Sequence, residues 1–496
     1  MKLKEEVMKK KMLSMLLCAA MFASILSGCA ISTTKESDDS NAESTEGTES
    51  TDDADADSDA EAGDDVVVMK DEDLEGREEI TLWFWGAEPY AQEAFKKILV
   101  DSYNASQDEY QLVVEFRPSV DADIKTALAA NQGPDIIYGS GPSFVMPLVE
   151  AEKLENMDGY AEEYGWKDKI LEPYYESGTV HGSLYSLVNG VSTMGVFYNK
   201  KVLQDNGWEV PTTIEEMEAI MDEAIEKGMY ASVTGNKGWQ PVNENYASLF
   251  LTHIATPQTM YKVLTGEESW VNDGVKAAIE KSKEWWDKGY LAGEDYVNLN
   301  FSESLQLLSD EKAPFFVGPS IAFQWAASFF TGDKEENIAF IPFPATEQVP
   351  DTTYTLGAAC TLSINANAED SHKDEAAKVI DMMMNAEFMQ EMTAAWPGYW
   401  GTPLKDLSSV DAGDMSYLSA EFVKVVSDIS DAVNQGNFGY YDNTFFPSAT
   451  QTRIVNIDEV WYETSTVDEY VQSLEDEFKT EFENGMVPPT PKPNMD

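Results

Sequence analysis

Three short runs bring ring faces and directed polar groups to points where the chain turns. Trp83 and Trp85 differ by two, so they face one side of an extended run, with Phe84 on the other. Gly86 and Glu88 follow them. Arg117 ends a second apolar run, and Tyr138, Gly139 and Ser140 end a third. Rings cover apolar faces, while a carboxylate, a guanidinium and hydroxyls make directed hydrogen bonds. That set suits non-covalent capture of a polar solute. Catalytic chemistry finds less support. The three histidines, His181, His253 and His372, are scattered, with no two at metal-ligand spacing. There is no Gly-x-Ser-x-Gly elbow, and no Gly-Lys dipeptide for a phosphate loop. A glycosidase needs only two carboxylates, and with 90 acids a pair is always available. No cofactor and no metal is expected.

The elements that position these residues alternate. Ile80–Trp85 reads as a strand that Gly86 breaks, and Pro89 suits the first turn of a helix. Ala91, Ala94, Phe95, Ile98, Leu99 and Tyr103 recur at helical spacing. Gln111–Phe116 is the next strand. Asp123 could cap a helix carrying Ile124, Ala127 and Leu128, and Asp135–Gly139 is the third strand. Strand, helix, strand, helix, strand argues for a parallel α/β sheet, in which ligands bind beyond the carboxyl ends of the strands.

The N-terminus carries different chemistry. Lys2, Lys4, Lys9, Lys10 and Lys11 precede the apolar run Met12–Leu26, which suits the core of a signal peptide and is short for a membrane span. Leu26-Ser-Gly-Cys29 then resembles a bacterial lipobox, whose cysteine becomes the lipidated first residue of the mature chain. Cys18 leaves with residues 1–28, so Cys360 remains alone, without an intramolecular disulfide. Its surroundings, Gly357-Ala-Ala-Cys360-Thr-Leu-Ser-Ile364, read as a buried strand, and so as a packed thiol. Residues 30–79 hold 20 acids and 3 bases. Such a composition cannot bury enough apolar surface to fold, so residues 29–79 read as an acidic tether of roughly 40 Å. Asp53, Asp55 and Asp57 alternate as in a calcium loop. Ser58 and Asp64 stand where that loop needs Gly and Glu, which argues against calcium. The whole chain, 496 residues with a net charge of -57, has 33 bases against 90 acids, which tells against a nucleic-acid partner.

Along the whole body the order of motifs resembles the sugar-binding proteins of bacterial ABC importers, of the maltose-binding type. Trp83-Phe-Trp-Gly86 is similar to that family's first ligand loop. Thr126-Ala-Leu-Ala-Ala-Asn-Gln-Gly-Pro-Asp135 is similar to its small-residue helix leading into Pro-Asp and a strand. Gly182–Tyr185, Val196–Lys200, Gly207-Trp208, Pro211–Met217, Ala313–Pro319, Ile341–Pro344 and Leu362–Asn367 follow in the family's order. The Asp-Lys pair of the maltose-type first loop is missing, and Gly86-Ala-Glu88 stands there instead.

The resemblance implies a two-lobed, periplasmic-binding-protein-like α/β fold, each lobe a doubly wound, mostly parallel sheet. The lobes would be joined by crossover hinge strands near Gly190–Ser192, Leu356–Cys360 and Trp400–Leu404. Lobe 1 would comprise 80–191 and 360–403, and lobe 2 would comprise 192–359 and 404–489. It implies a carbohydrate, a neutral oligosaccharide, as ligand, with ABC permease subunits as partners of a monomer. The chain would be lipid-anchored on the outer face of the bacterial cell membrane. The ligand set would be Trp83, Trp85, Glu88, Arg117, Tyr138, Ser140, Asn189, Trp239, Glu244, Trp325, Tyr399 and Trp400. Trp400 would be the C-terminal stacking ring, so that Trp400→Ala would cost binding without unfolding. Tyr440, Tyr441 and Asn443 are outside candidates. Trp166, Trp208, Trp270, Trp285, Trp286 and Trp461 read as packing. A surface glycoside hydrolase or a receptor for a non-sugar solute is the alternative.

Overall fold

The structure is a computed structural model and describes residues 66–74, 76–237 and 242–495. Residues 1–65, with Cys29 and most of the acidic run, lie outside the described residues, as does Trp239. The strands in chain order are β1 (Val67–Met69), β2 (Glu78–Trp85), β3 (Tyr110–Arg117), β4 (Ile136–Gly139), β5 (Thr179–Val180), β6 (Ser183–Leu184), β7 (Leu187–Asn199), β8 (Phe315–Pro319), β9 (Ile338–Pro342), β10 (Tyr354–Ile364) and β11 (Phe438–Tyr440). Nine of them form one sheet in the order β1-β3-β2-β4-β10-β7-β8, with β9 on β7 and β11 on β10.

The strand–helix alternation at the start of the body gives the parallel centre it predicts. β2 pairs with β3 in parallel from Glu78 opposite Tyr110 to Trp85 opposite Arg117, and in parallel with β4. The long strands β7 and β10 then run antiparallel to one another. β10 continues antiparallel onto β4, and β7 onto β8 and β9. These two strands are therefore shared between two groups of strands. Their register slips between Ala358, Cys360 and Thr361, opposite Gly190. A side chain at Gly190 would put its Cβ 2.7 Å from the Tyr399 carbonyl oxygen, so only glycine fits there.

The acidic segment joins the sheet earlier than its composition suggests. β1 lies inside the stretch expected to be tether, and pairs antiparallel with β3, Val67 opposite Phe116. Val66-Val-Val-Met69 is the one apolar run in that stretch, and it supplies enough side chains to hold an edge strand.

Two motifs have clear physical reasons. In Pro134-Asp135 the carboxylate accepts hydrogen bonds from both the amide and the hydroxyl of Thr81 (2.8 Å each), tying β4 to β2. In Pro211–Met217, Thr213 caps the helix Ile214–Glu226 and Glu216 completes a capping box. Asp123, by contrast, is not a cap. The helix Val120–Ala129 starts before it, and its carboxylate accepts from Arg117 (2.8 Å).

Asp135 also meets His372, on the helix Asp370–Met383. The imidazole lies 2.9 Å from Asp135 and 3.0 Å from Glu78. Burial alone would lower the His372 pKa, but hydrogen bonds and charge from the two carboxylates outweigh it and raise it. A raised folded pKa adds stability that is complete below the unfolded value and disappears as pH rises through the folded one. The stability lost in His372→Gln is therefore expected to be largest in mild acid and to shrink as the solution becomes alkaline. Urea midpoints across that range check this, and a pH-independent difference would refute it.

Packing residues sit as expected. Trp166, Trp270, Trp285 and Trp461 are fully buried, and half-buried Trp286 stacks on Trp461 at 5.5 Å. Cys360 is a buried free thiol, and burial pushes its pKa up. Among the described residues, no helix is long and apolar enough to cross a membrane.

Candidate functional site

The carboxyl ends of β2, β3 and β4 gather one cluster. Trp85, half-buried, packs against Trp396 (5.8 Å) and Tyr399 (5.6 Å). Tyr399 stacks on Trp396 at 4.8 Å and donates its hydroxyl to the Ala359 carbonyl on β10. Tyr138, at the end of β4, lies against Tyr399, and burial pushes both phenols far above their ordinary range. Ser140 is half-buried one step further on, and near it stands Asp121, in the first turn of the helix after β3, whose Oδ1 is buried without a hydrogen-bond partner. Burial raises the Asp121 carboxyl, and the Ser140 hydroxyl and nearby Lys125 pull it back in part. Trp85, Tyr138, Ser140 and Tyr399 are thus brought together, with Asp121 added. Asp121 was missed from sequence, although it follows a strand end just as Glu88 and Ser140 do.

A second group borders this cluster. Glu88 is half-buried at the N-cap of the helix Pro89–Phe95. The first turn of that helix presents Tyr90, 43% exposed, with its hydroxyl 3.5 Å from the Gln324 carbonyl. The Gln324 side chain accepts a hydrogen bond from the Trp396 indole (2.8 Å). Trp325, beside it, is half-buried with its ring edge-on to Phe301. This places Tyr90 and Gln324 next to the ring cluster, and neither drew notice in the sequence.

Other candidates are spent within the protein. The Arg117 guanidinium lies 3.7 Å over the Trp83 ring and binds Glu115 (2.7 Å) and Asp123 (2.8 Å). Asn189 is buried, its amide donating to the Met383 carbonyl. Glu244 is buried and accepts from Tyr441 and Gln451. Trp400 is wholly enclosed. It lies between Phe84 (5.7 Å) and Phe95 (5.2 Å), with Phe388 edge-on. A side chain without accessible surface has no face to offer a solute in this conformation, so Trp400, Asn189 and Glu244 act here as packing. Phe84 turns to the opposite face of β2 from Trp85, which is why the neighbouring ring Trp400 is drawn inward.

A shallow concavity of about 320 Å³ lies elsewhere, lined by Ile214, Ile254, Glu215, Glu280, Glu284 and Lys281, among others. It is open and acidic, and it lacks the aromatic faces of the strand-end cluster. Among the described residues, no group of three or more His, Cys, Asp and Glu is set to hold a metal ion.

Residues 99–416 match the bacterial extracellular solute-binding protein family, and the chain belongs to it. Its members bind solutes outside the cytoplasm and are not enzymes. The multiple sugar-binding protein of Streptococcus mutans is 22% identical over 334 residues, 63% of this chain and 73% of that protein. The maltotriose-binding protein of Pyrococcus abyssi is 25% identical over 175 residues. That match spans 34% of this chain and only 33% of the relative's length. A solved chitin oligosaccharide binding protein shares the fold, with TM-score 0.68 at 19% identity, covering 82% of this chain and 98% of the other.

Proposed function

We propose that this protein is the lipid-anchored receptor of an ABC importer, and that it captures a neutral oligosaccharide and presents it to a permease. The observation that carries the reading is the strand-end cluster of Trp85, Tyr138, Ser140, Tyr399 and Asp121. Trp85 is the ring in it that is not fully buried and suits the C–H face of a pyranose, with Tyr138 and Tyr399 buried behind it, and Ser140 and Asp121 suit sugar hydroxyls. The names of the relatives, which bind maltotriose and multiple sugars, support the same class. Closure would occur between lobes of residues 80–191 with 360–403 and residues 192–359 with 404–489. They would pivot where β7 and β10 slip in register at Gly190 and Cys360. Closure is a population shift, so the solute must contact the closed form better than the open one.

The test is a thermal-shift screen with maltotriose, chitin oligosaccharides and xylo-oligosaccharides. A saturable rise in midpoint with one class, without released product, is the expected result. Hydrolysis of the bound sugar, or no shift with any sugar beside a shift with an amino acid or peptide, would overturn it. The anchor is tested separately. Cys29→Ala is expected to abolish incorporation of labelled fatty acid and to move the protein from the membrane fraction to the medium. Labelling that persists in this variant would refute lipidation at Cys29.

A further inference from the structure

Far from the ring cluster in chemistry, a polar seam closed to solvent holds two acids together. The helix Val242–Phe250 runs on through the π-turn Leu251–Ala255, and Glu244, Ser248 and Thr252 recur every four residues along one face. Opposite them stand β11 and the turn that follows it. A Cβ on Gly439 would lie 2.4 Å from the Thr252 side chain, so the two segments touch. Tyr441 donates its hydroxyl, and Gln451 its amide, to the two oxygens of Glu244. Ser248 donates its hydroxyl to Asp442 Oδ1 (2.8 Å). Glu244 and Asp442 have no accessible surface, and the bonds set them side by side: Tyr441, next to Asp442 in the chain, binds Glu244, while Ser248, one turn along the helix from Glu244, binds Asp442. Asp442 Oδ2 is buried and has no donor.

The surrounding ionisable groups do not neutralise the pair. On the helix Ser448–Val455, Arg453 is held by both carboxylate oxygens of Glu459 (2.8 and 2.6 Å). Asp458 adds a further negative charge, and the Tyr470 phenol faces Arg453 and Asp442. Glu481 is spent on the amides of Ala449 and Thr450. Two adjacent ionised carboxylates without a cation would carry a heavy cost in this setting. A proton on one of them supplies the donor that Oδ2 lacks. Burial raises both carboxyls, in the direction this requires.

The turn these acids hold reaches both groups of strands. The Tyr441 amide donates to the Leu356 carbonyl (2.9 Å) and the Ala358 amide donates to the Thr444 hydroxyl (2.9 Å), both on β10 beside its register slip. Ser143, at the start of the helix Pro142–Glu150 after β4, donates to the carbonyls of Thr444 (3.0 Å) and Phe446 (2.6 Å).

We propose that Glu244 and Asp442 share one proton, and that this proton is a lock seating the turn Tyr441–Phe446 against β10 and the helix after β4. Its loss in alkaline solution leaves two like charges side by side and loosens the turn. The inference needs no particular solute and stands apart from the sugar reading.

The test uses the full chain without ligand. Infrared spectroscopy is expected to show a protonated-carboxyl C=O band at neutral pH that disappears in alkali. Hydrogen exchange, corrected for intrinsic rate, is expected to show protection of residues 438–446 falling by up to about tenfold per pH unit once the pair ionises. Asp442→Asn puts an amide N–H where the proton lay. The band should vanish while protection stays and becomes independent of pH. Glu244→Gln is the reciprocal variant and should behave alike if the first does not fold. No protonated carboxyl at neutral pH, or the same pH slope in both variants as in the native chain, would overturn the proposal.

Discussion

Trp400→Ala is expected to lower the unfolding free energy by about 3–5 kcal/mol, the usual cost of removing a large buried ring. The indole is in contact with Phe84, Phe95, Trp396, Tyr399 and Phe388, and has no accessible surface. Its removal leaves a cavity between β2 and the helix Pro89–Phe95, the two elements that present Trp85 and Glu88. The loss is a large share of a typical domain's roughly 5–15 kcal/mol. Denaturant midpoints of the variant, with Trp400→Phe as a milder change that keeps a ring, measure it. A midpoint unchanged from the native chain, together with lost sugar affinity, would mean that Trp400 faces the solute after all. The structure thereby reverses the order of effects read from the sequence, in which binding fails first and folding survives.

That reversal marks where sequence reading stops. Pro89, Gly139 and the Pro-Asp of 134–135 punctuate the chain by local chemistry, so the three parallel strands can be read within a residue or two, while the helix Val120–Ala129 starts well before the cap expected at Asp123. Trp85 and Ser140 follow from the strand-end rule, which needs only the strands. Whether a ring is wall or core depends on which long-range partner covers it, and no local pattern carries that. Trp400 and Trp396 are four residues apart in one loop. Both are fully buried, Trp400 between Phe84 and Phe95 and Trp396 under Tyr399 with its indole on Gln324, and neither fate shows in the local pattern. Glu244 and Asp442 are 198 positions apart, and their meeting depends on β11 pairing with β10. β1 was hidden for the opposite reason. Its three apolar residues were averaged into an acidic surrounding that dominated the composition.

Trp85→Ala should separate binding from folding where Trp400→Ala cannot. Trp85 is half-buried, so part of it remains accessible while its ring contacts Trp396 and Tyr399 stack on each other without it. Stability should fall by only about 1–2 kcal/mol, a fraction of the cost of an enclosed ring. A stacking face lost from a pyranose site removes apolar contact worth about 1.5–3 kcal/mol, or roughly tenfold to a hundredfold in affinity. Asp121→Asn tests the polar half of the same site. It keeps the shape and one acceptor but removes the charge-assisted bond to a sugar hydroxyl, so affinity should fall by about tenfold with the thermal midpoint almost unchanged. Calorimetric titration with the best sugar from the screen reads both variants. If each binds that sugar as tightly as the native chain while folding normally, the ends of β2 and β3 do not form the binding wall. Capture would then have to be assigned to Tyr90, Gln324 and Trp325 instead.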